Sequence, residues 1–287
     1  MSNPFYAYSA ITDRPPLRMP RGERIAVWAG LNIEHYEYGK PALSLAQFTA
    51  GLTPDPLNHG WRDYGPRVGI WRLVDMFDHL DIQPTAIVNS DVVEQYPAIV
   101  RAGIERGWDW VAHGKNNSTW QTGMAPAEEK AYIGAVTDSI EFATGKRPKG
   151  WLGPALTASA ATNDLLAEHG YLYNLDWGVD DEPFPLTVSA GSLISVPYST
   201  ELNDIPFSVL QGQPAAAFGQ ALIDQFDQLY AEGASRPRVL GFGVHPFLSG
   251  QPYRLRYLVE ALQHMAKHEG VWFATADEIA TWYRDGA

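Results

Sequence analysis

Ile25-Ala26-Val27-Trp28-Ala29-Gly30-Leu31-Asn32-Ile33-Glu34-His35 is the stretch on which the fold turns. It lacks the polar–apolar alternation of a half-exposed strand, so it reads as a strand covered on both faces, as in a parallel sheet flanked by helices. It ends in two titratable groups. Two other β-type runs end alike, Trp110-Val111-Ala112-His113-Gly114-Lys115-Asn116-Asn117 and Gly241-Phe242-Gly243-Val244-His245-Pro246. Parallel barrel strands open at one rim, where side chains from separate strands converge on a pocket. Glu34, His35, His113 and His245 are therefore candidates for a single site.

Working outward, similar short apolar runs recur at 85–89, 108–112, 150–153, 171–177, 193–197 and 239–244. Helical patterns lie between them, at 67–80, 92–106, 126–144, 160–169, 214–232, 254–268 and 276–284, several closed by glycines that act as stop signals. Strand followed by helix, repeated without a Gly/Ser-rich linker, predicts a parallel (β/α) barrel or a distorted relative of one. A single catalytic domain over 1–287 is expected, with a core of about 25–284 and an N-terminal arm over 1–24. Tyr36–Tyr64 and Asp180–Ser192, each following a strand, read as loops that shape the pocket.

Composition narrows the function classes. The chain has 287 residues, 45% hydrophobic, 19% charged and net charge −12, which suits a globular body and opposes binding to nucleic acid or anionic membrane. The absence of cysteine removes disulfides, thiolate nucleophiles and cysteine-bound zinc. There is no basic-then-apolar leader over Met1–Pro20 and no apolar run of bilayer-spanning length, so a cytoplasmic location without a membrane partner is expected. Phosphate-loop, dinucleotide-fingerprint, HExxH and GxSxG patterns are all missing.

Each candidate has a plainer reading beside it. Glu34 suits a general base if neighbours or burial raise its pKa toward neutrality, and with His35 it also reads as an ordinary surface pair. His113 before Gly114, with Asn116 and Asn117, supplies donors and acceptors; Gly and Asn also make ordinary turns. His245 is a proton donor or a core histidine satisfied by a carbonyl. The cluster Asp176-Trp177-Gly178-Val179-Asp180-Asp181 orients a histidine or caps local backbone, and Trp151 and Trp177 stack on a flat ligand or simply pack. Arg67 pairs with Glu34, clamps a carbonyl, or makes a surface pair of little energetic value.

Four segments carry a resemblance: Asn32-Ile33-Glu34-His35; Asp63-Tyr64-Gly65-Pro66-Arg67-Val68-Gly69-Ile70-Trp71-Arg72; Asp180-Asp181-Glu182-Pro183-Phe184; and His245-Pro246-Phe247-Leu248-Ser249-Gly250-Gln251-Pro252, continuing to Val271-Trp272-Phe273. Together they resemble the polysaccharide deacetylase (NodB-like) family, and within it the branch of allantoinases and cyclic imide hydrolases. The resemblance implies a distorted (β/α)7 barrel over about 25–284. It also exposes departures. Where sugar deacetylases carry Thr-Phe-Asp-Asp, with a base and a metal ligand, this chain has Glu34 and His35. In the His-Ser-x-x-His segment His113 keeps the first histidine, but Asn117 replaces the second, and an amide is a poor ligand for a transition metal. The segment that begins with an arginine there reads Trp151-Leu152-Gly153-Pro154, and Arg67 is the candidate replacement.

These departures predict hydrolysis of a C–N bond in a small cyclic amide, an imide or an allantoin-like ureide, with no metal or other cofactor. Glu34 would activate water, His113 with Arg67 would stabilise the oxyanion, and His245 would protonate the leaving nitrogen. His35, Asn117, Trp151, Trp177, Asp180 and Asp181 would bind the ring. The alternatives are metal-dependent deacetylation of an N-acyl substrate and a noncatalytic binding protein. The branch also implies a homo-oligomer, with 36–61 as the expected interface.

Overall fold

The computed structural model describes residues 3–286. Its strands are β1 (Ile25–Ile33), β2 (Thr85–Val88), β3 (Asp109–Ala112), β4 (Gly150–Trp151), β5 (Tyr173–Asn174), β6 (Phe184–Pro185), β7 (Ile194–Ser195), β8 (Arg238–Val244) and β9 (Val271–Phe273). They form one sheet in the order β6-β7-β5-β4-β3-β2-β1-β8, with β9 beside β1. Only the β6–β7 pairing is antiparallel. All nine residues of β1 are buried, which fits its unbroken apolar sequence.

Around the sheet lie α1 (Pro56–Tyr64), α2 (Ile70–Leu80), α3 (Asp91–Gln95), α4 (Pro97–Glu105), α5 (Pro126–Thr144), α6 (Thr162–Glu168), α7 (Ala215–Glu232), α8 (Pro252–Met265) and α9 (Ala276–Arg284). The fold is the distorted NodB-like barrel, a curved sheet with helices outside.

Two buried layers result. Trp28, Ile87, Val111, Leu152, Tyr173, Val196, Tyr198 and Val239 fill the barrel, while Trp110, Trp151, Phe242 and Val244 belong to the layer beneath the helices. Because strand side chains alternate, one face of each strand belongs to each layer.

The barrel closes irregularly between β7 and β8. There Ser199 N–H donates to the Gly241 carbonyl at 3.0 Å and Asn203 bridges to Gly243. Glycine on this face of β8 is a steric requirement. A Cβ on Gly241 would stand 2.2 Å from the Pro197 oxygen, and one on Gly243 would stand 2.3 Å from the Tyr198 hydroxyl.

Several elements differ from the sequence expectation. The first helix begins at Pro56 rather than Arg67, capped by Asp55, whose carboxylate accepts from Asn58 N–H. It joins α2 through a π-turn over Gly65–Gly69 that absorbs Pro66. The stretch 92–106 is two helices, broken at Tyr96 before Pro97. Residues 180–192 do not stay at the rim. The chain runs back to the start of β8, where the Asp181 carbonyl accepts from Val239 N–H at 2.9 Å.

Candidate functional site

Side-chain parity sets the site. On β1, Ala26 and Trp28 face the barrel interior, so by alternation Glu34 faces inward and His35 outward. On β3, Val111 is an interior residue, and His113 follows it in phase. On β8, Val239 is interior, and the same phase through Gly241 and Gly243 delivers His245. The three strands are neighbours or next neighbours in register, so their ends share one rim.

There Glu34 Oε1 lies 3.3 Å from His113 Nε2 and 3.4 Å from His245 Nε2, with all three side chains at most 4% exposed. Glu34 Oε2 accepts from the Tyr36 hydroxyl at 2.5 Å. His113 Nδ1 is 2.8 Å from the Leu152 carbonyl, and its Nε2 meets the Glu34 carboxylate; both partners only accept, so the ring donates to both when each nitrogen carries a proton. His245 Nδ1 lies 2.6 Å from Asp204 Oδ1, while Asp204 Oδ2 accepts from the His245 amide at 2.9 Å and from the Ser249 hydroxyl.

The charge states follow from this layout. Burial alone would raise the Glu34 pKa, but the charge of His245 and the hydrogen bonds from His113 and His245 outweigh it, so the carboxyl lies well below its ordinary range, opposite to the rise toward neutrality expected from the sequence. Burial alone would lower the His245 pKa; Glu34 on one side and Asp204 on the other reverse that and push it up to about 10. At neutral pH the pair is a carboxylate against an imidazolium.

Above this floor opens a cavity of about 540 Å³, lined in part by Asn32, Tyr36, Asn117, Trp120, Tyr198 and Asn203. Tyr198 is decisive among them. Its phenol oxygen accepts from Asn32 Nδ2 at 2.9 Å and from Asn203 Nδ2 at 3.1 Å, and burial pushes its pKa well above the ordinary phenol value. Both lone pairs are engaged, so the hydroxyl proton is directed to a third partner. Two absent Cβ atoms make room for this ring, at Gly30 and Gly243, while the one at Gly241 makes room for the Trp28 indole and the Pro197 carbonyl.

The two longest segments of the family resemblance pack on each other. A Cβ on Gly69 would stand 1.9 Å from the Pro246 oxygen, and one on Gly250 would stand 2.5 Å from Gly69 Cα. The turn that ends α1 thus buttresses the His245 loop.

Five expected ring binders, and Arg67, do not line this cavity. His35 points outward by parity into a second cavity of about 250 Å³ that meets the first at Glu34 and Tyr36, where its Nδ1 is 3.0 Å from the Tyr96 hydroxyl. Arg67 is exposed on the π-turn; Arg62, five residues earlier, is the buried arginine, its guanidinium 5.2 Å from the Tyr36 ring. Trp151 is fully buried in the helix-facing layer, where its indole N–H donates to Gln121. Trp177 packs on Phe5 and Tyr6 of the N-terminal arm. Asp180 pairs with Arg14 at 2.6 Å, and Asp181 lies beside Val239, at the far end of β8. Val239 and His245 are six positions apart, roughly 20 Å of strand, so neither aspartate reaches the site. Asp176 turns to the Gly153 amide rather than the cavity. Of the ring binders only Asn117 lies on the wall.

A metal does not fit the residues present. Asn117 Oδ1 accepts from Asn89, His35 faces the other cavity, and His113 Nε2 and His245 Nε2 flank Glu34 from separate strands. No three of these atoms converge as ligands about 2 Å from one centre. Among the described residues, the group with metal-ligand spacing is Asp227, His264 and His268, on α7 and around the end of α8, outside the cavity.

Sequence reasoning missed Asp204, Tyr198, Asn203 and Tyr36. A signal existed for Tyr198: glycine inside a buried strand marks the close approach of another group, and Gly243 marks that of Tyr198.

Comparison with known proteins gives the family. The polysaccharide deacetylase profile matches residues 62–174. A Schizosaccharomyces pombe protein whose name assigns it to the polysaccharide deacetylases is 30% identical over 258 residues, covering 80% of this chain and 79% of its own. The chain belongs to the polysaccharide deacetylase family. It is accordingly a hydrolase acting on carbon–nitrogen bonds. A solved structure named as a polysaccharide deacetylase from Pseudomonas aeruginosa PAO1 superposes with a TM-score of 0.85 at 28% identity, covering 95% of each chain. The Puue allantoinase does so at 0.83, also 28% identical, covering 96% of this chain and 95% of that one. No helix among the described residues is long and apolar enough to cross a membrane.

Proposed function

We propose that this family member hydrolyses a C–N bond of a small cyclic amide, of the imide or ureide type, without a metal. One observation carries the reading. At the cavity floor the candidate base is ionised and the candidate acid protonated, 3.4 Å apart. Glu34 takes a proton from water, whose oxygen bonds to the ring carbonyl carbon. The carbonyl oxygen becomes an oxyanion that receives the Tyr198 hydroxyl proton as a hydrogen bond, a role expected in the sequence of His113 and Arg67. His113, fixed by Leu152, holds Glu34 in place. As the C–N bond breaks, His245 gives its proton to the leaving nitrogen, and Glu34 returns the water-derived proton to His245. Water is consumed and a ring-opened acid amide is released.

The leaving group makes this balance reasonable. An imide nitrogen spreads its charge into a second carbonyl, so it departs with less electrophilic help than a simple amide. A positioned oxyanion donor supplies roughly 3–4 kcal/mol, and a general base contributes on the order of 10²–10⁴-fold. The likeness to an allantoinase supports a ring substrate, whereas the names of the other relatives favour N-deacetylation.

A hydrolysis screen of cyclic imides, ureides and N-acetylated amino sugars, run with and without chelator, separates the readings. Ring opening insensitive to chelator is expected. Turnover confined to N-acetyl sugars, lost with chelator and restored by zinc, would overturn the proposal. Turnover of nothing across the panel would favour a binding protein. Exposed Tyr38, Leu45, Phe48 and Leu52 on the 36–61 segment support self-association through that face, as a second element of the proposal.

A further inference from the structure

We infer that the ring substrate carries an apolar alkyl or aryl arm, rather than a ureido, sugar or charged one. The inference rests on the ring-opening reading above and names the substrate class within it.

The hydrogen-bond inventory of the cavity comes first. Asn32 Nδ2 is engaged by the Tyr198 oxygen and the backbone carbonyls of Gly30 and Val244. Asn203 gives its amide N–H to Tyr198 and its oxygen to Ile205 N–H. Asn117 accepts from Asn89 and faces the Tyr36 hydroxyl, which itself donates to Glu34. The Asn32 and Asn203 amide N–H groups therefore serve the protein. What remains for a ligand is the Tyr198 proton, the Glu34–His245 pair and the Asn32 oxygen at the floor, with an Asn117 N–H and the Thr200 hydroxyl on the wall, enough for the ring and its carbonyls.

The upper walls have a different character. Leu43 and Pro41 follow β1, Leu156 follows β4, Ile205 and Leu210 follow β7, and Trp120 overhangs from the loop after β3. Among the described residues, Glu34 is the one acidic lining residue, and no lysine or arginine lines the cavity. A charged arm would find no counter-charge, and a ureido arm would lose its water to carbon walls. Size points the same way. The volume of about 540 Å³ equals roughly eighteen waters at ≈ 30 Å³ each. A bare five-membered ring leaves most of it unfilled, and the unfilled part is the apolar part.

Three hydantoins form the test, unsubstituted or with a four-heavy-atom arm on the same ring carbon, one isobutyl and one ureido. Each buried methylene is worth about fourfold in kcat/KM, so the isobutyl ring should exceed the bare ring by about 10²-fold, with the ureido ring well below the isobutyl one. The same three rings are titrated calorimetrically into Glu34→Gln, which reads binding without turnover. Leu43→Asn should shrink the isobutyl-to-ureido ratio, as should Leu210→Ser at the exposed rim, where folding is not at stake. Equal or reversed preference in both binding and kinetics overturns the apolar-arm inference, and ring opening itself would still stand. Binding preference for the isobutyl ring with no turnover of any ring upholds the inference and sinks the hydrolytic reading.

Discussion

Replacing Asp204 by Asn removes a negative charge from behind His245 with little change in volume. Asp204 Oδ1 is 2.6 Å from His245 Nδ1, and its other oxygen holds the His245 amide and the Ser249 hydroxyl. Two unit charges about 4 Å apart interact by about 4 kcal/mol at an effective dielectric near 20. At 1.36 kcal/mol per pKa unit that bounds the shift at about 3 units, within the range of about 1–3 seen for a close counter-charge. His245 now stands at about 10. Losing an anion makes the cation easier to deprotonate, so the pKa falls, and the alkaline limb of kcat/KM moves to lower pH by about 1–3 units. The stability linkage has the same sign. The folded pKa lies above the unfolded value near 6.5, so the stabilisation is complete below about pH 6.5 and is lost as pH rises toward 10. In the variant that upper boundary comes down. The amide also turns an N–H toward one of the donors that Asp204 accepted from, disturbing the imidazole's orientation, so kcat should drop by about 10²–10⁴. Two assays read this: the pH profile of kcat/KM on a ring substrate, and the NMR titration of the His245 ring, which needs no substrate. If the ring titrates in Asp204→Asn where it does in the parent, the argument that Asp204 keeps His245 protonated is wrong.

Other outcomes follow from the same geometry. Glu34→Gln should cost on the order of 10²–10⁴ in kcat with the fold intact by circular dichroism; near-normal turnover would remove Glu34 as the base. Tyr198→Phe keeps the ring's packing and removes the donated proton, so kcat should fall about 10²–10³ with little change in KM. A loss in KM alone would make Tyr198 a wall residue. Gly243→Ala forces a methyl toward the Tyr198 hydroxyl, a 2.3 Å approach for its Cβ, and should destabilise by about 1–3 kcal/mol in denaturant melts; an unchanged midpoint would mean the phenol moves freely. Dialysis against chelator should leave ring opening unaltered, and zinc-dependent recovery after such treatment would contradict the donor-set argument.

The legible part of the site is the part that lies on strands. The runs ending at Glu34, His113 and His245 announce themselves by unbroken apolar character, and the structure brings both histidines within hydrogen-bonding reach of one Glu34 oxygen. His35 and Trp151 failed as pocket residues for a reason built into such strands. When both faces are buried, composition does not show which face looks into the barrel, and a one-residue difference in parity moves a side chain to the other layer. Arg67 failed because the helix starts at Pro56 and passes through a π-turn, which leaves Arg62 buried and Arg67 in water. Asp180 and Asp181 failed because the segment after β5 doubles back along the barrel instead of staying at its mouth.

The sequence by itself therefore determined the strand–helix alternation, the family, and which three strands end in groups able to move protons, because these follow from local pattern along the chain. Only the tertiary structure decided which side chains share the interior, that Asp204 and Tyr198 complete the site, and that the cavity walls are apolar. Those depend on strand parity and on loop paths between distant elements, set by packing across the barrel rather than by any residue's immediate neighbours.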